Sequence, residues 1–218
     1  YFKQLKAFVN IEKEENYFDF KKSLLQHSKQ LGRIENYFLH QRLIDYCVTR
    51  KTSGIKCSFD IDREIFELQT LFVNKEYYKT NANSYLPFDL YRNILLNCIT
   101  VKELNYMEEF IVKNSKKIIP DQITNVENYS YAILYFQKGL YSKALNCLNK
   151  VVFDQSSFKI DMKNLQLKIN YELKYYDNMS SPVKSTFINK RVPGNESKMI
   201  LQSIVKAKRD QPIETVSE

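Results

Sequence analysis

Residues 131–151 read YAILYFQKGLYSKALNCLNKV, and the lone Gly139 interrupts a pattern that is otherwise helical. On either side of it the apolar residues fall three and four apart, the spacing of one face of an α-helix. A glycine between two such runs reads as a tight turn inside a helical hairpin. Punctuation is scarce throughout, with 4 Gly and 5 Pro in 218 residues, whereas a sheet-rich fold of this size needs more turns. No segment alternates with period two long enough to argue for a sheet. The chain is therefore expected to be all-α.

The same reading extends to both ends. An amphipathic helix is expected from Tyr1 to about Gly32, with Tyr17, Leu24 and Leu31 at heptad spacing and Phe20 and Leu25 beside them. A second helix carries Ile34, Phe38, Leu39, Leu43, Tyr46 and Cys47 over a wide apolar arc. The stretch RKTSGIKCSFD reads as a loop, and Asp60 as the N-cap of a third helix bearing Ile61, Ile65, Leu68 and Phe72. KTNANSYLP is a second break, whose Pro87 suits the first turn of a helix containing Ile94, Leu95 and Cys98. A fifth helix is expected over about 103–118, stopped by Pro120. Thr124 and Glu127 then have capping-box spacing at the start of the helix leading to Gly139. Helices near 141–152 and 158–174 follow, and a short one over about 196–208. That last one is expected to cap the array with Ile200, Leu201, Ile204 and Val205. Three parts result: N-terminal helices (1–55), helical hairpins (56–178), and a capping helix with its tail (179–218).

Hairpins in series call for a fixed period. Asn128, Tyr131, Ala132 and Tyr135 fall on one helix, Gly139 and Tyr141 at the turn, and Ala144, Leu148 and Val151 on the next. Ala132 and Ala144 are small where two backbones approach, while Tyr135 and Leu148 are large enough to fill the groove between helices. This pattern resembles a tetratricopeptide repeat, a helix–turn–helix unit of about 34 residues. The same register can be laid on Tyr91, Ile94, Leu95, Cys98, Met107 and Ile111, about 37 residues earlier, with Pro120 one residue past the pattern's proline. A third, degenerate copy starts near Lys163, where Leu167 and Met179 fit but Gln166 and Asn170 do not. Over about 35–175 the chain is similar to tetratricopeptide-like proteins of Bacteroidetes. That resemblance implies an α-α superhelix, a solenoid of antiparallel hairpins, cut from a larger protein. It brings no catalytic residues.

Chemistry-bearing residues are thinly spread. His27 and His40 have no ligand partner one turn away, and His40 and Cys47 lie two turns apart, about 10 Å along a helix axis. Glu12, Glu14, Glu15, Glu108 and Glu109 stand among lysines and read as solvated faces. No glycine-rich phosphate loop occurs, and no cofactor or metal is expected. The 4 cysteines are far apart and read as free thiols of a reducing, cytoplasmic compartment. No apolar run reaches the ~18 residues of a membrane span. The chain begins with Tyr1 rather than Met, and so is expected to be a piece of a longer protein.

Most of the 16 Tyr are expected in the core, except the adjacent pairs Tyr77/Tyr78 and Tyr175/Tyr176, whose members cannot both point inward on a helix. The net charge of +8 comes from scattered lysines. The expected function is a non-catalytic scaffold that holds a protein or peptide partner on a concave surface. The alternative is a basic solenoid that binds nucleic acid.

Overall fold

The computed structural model describes residues 1–152 and 156–175, and among these only helices and their connections occur. The helices are α1 (Phe2–Val9), α2 (Glu14–His27), α3 (Arg33–Thr52), α4 (Ile61–Asn74), α5 (Phe88–Thr100), α6 (Leu104–Asn114), α7 (Ile123–Gln137), α8 (Tyr141–Leu148) and α9 (Ser156–Glu172). Short 3-10 turns follow α2 (Ser28–Gln30) and α6 (Ser115–Lys117) and precede α7 (Pro120–Gln122). The chain divides into two units, residues 1–130 and 131–218, and α7 crosses the division.

The lone glycine at 139 has a conformational reason. Gly139 has φ +73°, its N–H donates to the Phe136 carbonyl at 3.0 Å, and the Leu140 N–H donates to Tyr135 at 2.8 Å. This pair of bonds is the Schellman closure, which satisfies the orphan carbonyls of a helix end through one left-handed residue. The same closure ends α3 at Gly54, α4 at Glu76, α5 at Lys102 and α9 at Lys174, all at positive φ. At Lys102 the bonds run from Lys102 N–H to Ile99 at 3.1 Å and from Glu103 N–H to Cys98 at 2.8 Å. The residue that opens the next helix is also alike, with ψ 60° at both Glu103 and Leu140. Glu76, Lys102 and Lys174 carry a Cβ in a region that costs an L-residue about 1–2 kcal/mol. The turn is thus set by the helix-end hydrogen bonds, and glycine only relieves it.

Asp60 caps α4 as its sequence position suggests, accepting from the amides of Asp62 at 3.1 Å and Arg63 at 3.0 Å. Gly32 opens α3 with its N–H donated to the Glu35 carboxylate at 2.9 Å. Five other expectations need correction. The helix expected from Tyr1 to Gly32 is broken at residues 10–13, because α1 folds back on α2 and buries Ala7 beside Tyr17, Phe20 and Leu24. Ile34 and Phe38, each 58% exposed, and Leu25 lie off the buried stripes, so the apolar arc of α3 is narrower than its composition suggests. Thr124 sits inside α7, not before it, since the 3-10 turn at Pro120 runs straight into the helix. Glu127 accepts instead from the Ser115 hydroxyl at 2.8 Å. The fifth helix ends at Asn114 and tightens into a 3-10 turn, and α8 ends at Leu148, which leaves Val151 beyond it. The helix expected over 196–208, and with it Met179, lies outside the described residues.

In the first unit the core is a stack of helix-to-helix contacts: α1 on α2, α2 on α3, α3 on α4, α4 on α5, and α5 on α6. Tyr17 stacks on Tyr46 at 4.5 Å and lies parallel to Phe59 at 5.9 Å. Its hydroxyl donates to Glu64, which also pairs with Lys21 at 2.5 Å. Burial, with Cys47 and Glu64 nearby, drives the Tyr17 pKa upward, so the phenol stays a donor. Arg50, 1% exposed, is the largest fully buried side chain. Its guanidinium donates to the Ile11 carbonyl (3.0 Å), the Tyr46 hydroxyl (3.0 Å), the Glu14 carboxylate (2.9 Å) and the Lys56 carbonyl (2.5 Å). One side chain thereby joins the α1–α2 turn, the start of α2, and the α3–α4 loop. Further along, Tyr91 packs on Phe110 at 5.0 Å and shares a hydrogen bond with Ser130 at 3.1 Å. In the second unit Ala132, Ile133, Leu134, Ala144, Leu148, Leu165, Leu167 and Ile169 are buried, and α8 packs on α9.

The stabilities of four variants check this description. Nothing lies within 4 Å of a Cβ placed on Gly139, so Gly139→Ala should cost only the backbone term, about 1 kcal/mol in urea unfolding. Lys102→Gly should gain about 0.5–1 kcal/mol by releasing the same term. Arg50→Met should lose about 3 kcal/mol, because it removes the buried guanidinium from the Ile11 and Lys56 carbonyls and from the half-buried Glu14 carboxylate. Arg50→Lys should recover less than half, since an ammonium lacks the planar fork that reaches four acceptors. Wild-type unfolding of Arg50→Met would contradict the buried hub.

Candidate functional site

A groove of about 360 Å³ opens over α4, entirely within the first unit. One wall is α3, which contributes Tyr37, Gln41, Ile44, Asp45 and Val48 at helical spacing along a single stripe. The opposite wall is Pro87 and the first turns of α5, with Asp89, Leu90 and Asn93. Gln69 and Phe72 of α4 make the floor, and Tyr78 stands at the connection that follows. From Tyr37 to Val48 the stripe runs about 16 Å at 1.5 Å per residue. That length matches about five residues of extended chain at ~3.3 Å each.

The local sequence explains the shape. The Schellman turn at Glu76 ends α4, and the NANS segment folds on itself, with Asn83 N–H donating to the Asn81 side chain at 3.0 Å. Leu86 N–H then donates to the Lys117 carbonyl at 2.8 Å, which fixes the run into Pro87. Pro87 precedes the first turn of α5 with φ −60°, so α5 starts beside the groove. Glu76 is held in its left-handed turn by Lys79 at 2.8 Å and Lys117 at 3.6 Å, and the Lys79 hydrogen bond holds its carboxyl below the usual range.

The groove mixes an apolar floor with amides and carboxylates. Gln69 accepts from Asn97 at 2.8 Å, and its own amide nitrogen donates to nothing among the described residues. Gln41 donates to Asp45 at 2.9 Å, and Arg42 reaches Asp45 only at 3.4 Å from an exposed position. Tyr78 is 3% exposed, and its buried hydroxyl has no hydrogen-bond partner among the described residues. Burial, reinforced by the Glu76 charge, pushes its pKa up to about 12. Such a lining can hydrogen-bond a peptide backbone through its amides while Phe72, Ile44 and Leu90 take apolar side chains.

The residues singled out by the repeat pattern stand elsewhere, on the second half of α7 and on α8. Tyr131 and Tyr135 stack at 5.8 Å, and Lys143 lies over the Tyr135 ring at 5.9 Å. Phe136 packs on Tyr141 at 5.6 Å across the Gly139 turn. Ala132, Ala144 and Leu148 are buried, while Tyr131, Tyr135, Tyr141 and Val151 are half-buried. None of these eight residues lines the groove over α4. A smaller cavity of about 260 Å³ lies between the end of α8 and α9, lined by Leu148, Val151, Met162 and Lys163 among others.

His40 and Cys47 are both buried on α3. The Cys47 thiol is pushed up to about 12 by burial, and so is Cys98, so neither is a nucleophile at neutral pH. His40 Nδ1 lies 2.9 Å from the Asn36 carbonyl. A carbonyl only accepts, so Nδ1 carries the proton and the buried Nε2 is left without a donor. Tyr77, half-buried, covers the imidazole at 4.0 Å, while Tyr78 beside it is buried. The pair follows the left-handed turn at the end of α4, and only Tyr78 is fully buried. Comparisons with protein-family models, with curated proteins and with solved structures return no match.

Sequence reasoning missed the groove, since its lining comes from three helices and one connection. The only advance signal was the run of polar and apolar residues at 37, 41, 44, 45 and 48 on one helical face.

The buried imidazole has a measurable consequence. Burial lowers the His40 pKa from 6.5, so the unfolded chain takes up the proton first as pH falls. Its stability contribution is complete above about pH 6.5 and is lost below it, with a slope of up to about 1.4 kcal/mol per pH unit. Urea midpoints should therefore fall between pH 6.5 and 5, and His40→Gln should flatten that window. Burial works to raise the Glu14 pKa, but Ser58 and Arg50 together hold it below 4.5, so its loss comes only at lower pH. A decline between pH 6.5 and 5 that persists in His40→Gln would exclude His40 as its source.

Proposed function

We propose that this chain is a non-catalytic helical-repeat scaffold that holds a protein or peptide partner, and that its hairpins are tetratricopeptide-like. The repeat reading is supported by the turns. Lys102 and Gly139, about 37 residues apart, end their helices with the same two hydrogen bonds and hand over to the next helix at the same ψ. The binding reading is carried by the groove over α4. Its floor of Phe72 and Gln69, with a Gln69 amide nitrogen that donates to nothing among the described residues, lies between two helical walls and suits a short extended peptide. The buried thiols and the neutral His40 supply no activated nucleophile or base, which agrees with a holding role. A nucleic acid would meet two carboxylates in this groove and no lysine or arginine, so the overall positive charge is not concentrated there.

The test is selection of short random peptides on the immobilised chain, followed by fluorescence titration of those selected. Leu90→Arg and Ile44→Asp each place a charge on the groove wall. Leu90→Arg should weaken binding at least about tenfold, or about 1.4 kcal/mol, while the helical signal stays unchanged. Ile44 is buried, so Ile44→Asp is compared only if it remains folded. Failure to select any peptide, together with tight and steeply salt-dependent binding of a single-stranded RNA, would replace this reading with the nucleic-acid one.

A further inference from the structure

We propose that the groove over α4 selects a basic segment, seating a lysine or arginine side chain between Asp45 and Asp89 with apolar neighbours on Phe72 and Leu90. This inference rests on the peptide-binding reading above and names the chemistry of the partner.

The first support is charge. The chain carries +8 overall, with 33 Lys+Arg against 25 Asp+Glu, yet the groove lining holds two carboxylates and no Lys or Arg. Both carboxylates line the groove, from different helices, Asp45 on α3 and Asp89 in the first turn of α5. Asp89 makes no ion pair or side-chain hydrogen bond among the described residues and stands in the first turn of α5. Asp45 is engaged by Gln41 through one oxygen and by the long Arg42 contact through the other. Arg42 itself is not among the residues that line the groove. In a chain of net positive charge, a groove whose charged lining is only negative attracts and orients a cation.

The second support is polar valence. Tyr78 lines the groove, and its hydroxyl is buried without a partner, a cost that a bound donor offsets. An ammonium or guanidinium brings several donors and no acceptor, the valence that carboxylates and an unpartnered hydroxyl oxygen call for. A phosphate brings only acceptors and would face two carboxylates, and an acidic peptide would do the same.

The probes are the fluorescein-labelled peptides from the random selection, each compared with its copy in which Lys and Arg are replaced by Gln. The selected set should be enriched in Lys and Arg flanked by apolar residues. The Gln copies should bind at least about tenfold more weakly, in line with the strength of a charge-assisted hydrogen bond. The double variant Asp45→Asn, Asp89→Asn should bind basic and Gln copies alike, at the affinity the wild type shows for the Gln copy. Both aspartates are at the surface, so circular dichroism of this variant should match the wild type. Selected peptides that tolerate Gln, or a set rich in Asp and Glu, would overturn the basic-segment proposal and leave peptide binding intact. A selection that yields no peptide would overturn both.

Discussion

The first unit depends on how Arg50 is satisfied. A guanidinium removed from water must find acceptors, and the closure of three chain segments supplies them to both terminal nitrogens, while the buried Nε has no partner among the described residues. The Ile11 carbonyl is available because the chain turns between α1 and α2, and the Lys56 carbonyl because the α3–α4 loop passes over the end of α3. Glu14 supplies the opposite charge and is itself fixed by Ser58 of that loop. Tyr46, one turn earlier on α3, accepts from the same guanidinium and also donates to Ile11. Apolar packing alone would tolerate several ways of laying α1 and α2 on α3. The buried charge tolerates one, and it fixes α3 relative to α2 and to the start of α4.

That constraint reaches the groove. Val48, at one end of the α3 wall, is two residues from Arg50, and Asp60, which caps α4, is four residues past Lys56. Fixing the α3–α4 loop therefore fixes the spacing between wall and floor. At the other end, the left-handed turn at Glu76 and the hydrogen bond from Leu86 to Lys117 set where α5 begins. The groove is shaped at both ends by hydrogen-bonded turns, while its lining is left with amide and hydroxyl groups that the protein does not fully use.

Much of the helical organisation was legible in the sequence. The apolar spacing identified α4, α5 and α7, the Asp60 cap was readable from its side chain, and Gly139 announced its turn. The equivalent turns at Glu76, Lys102 and Lys174 were invisible, because they use residues that disfavour positive φ and rely on helix-end bonds to impose it. The break between α1 and α2 was hidden for a similar reason: heptad spacing favours one long helix, and only the folded-back packing and the capture of Ile11 decide otherwise. Arg50 read as part of a polar loop, since burial of a charge is a property of the tertiary structure. The groove left no signal beyond one mixed face of α3, because its two aspartates are 44 positions apart and line it from different helices.

Hydrogen–deuterium exchange of the chain with and without a peptide selected for binding tests the central claim most directly. Peptide capture over α4 is expected to slow exchange in residues 37–48, 69–78 and 87–93, with little change in 131–151. Protection concentrated in α7 and α8 would contradict it, and would move the binding surface to the repeat-patterned helices instead.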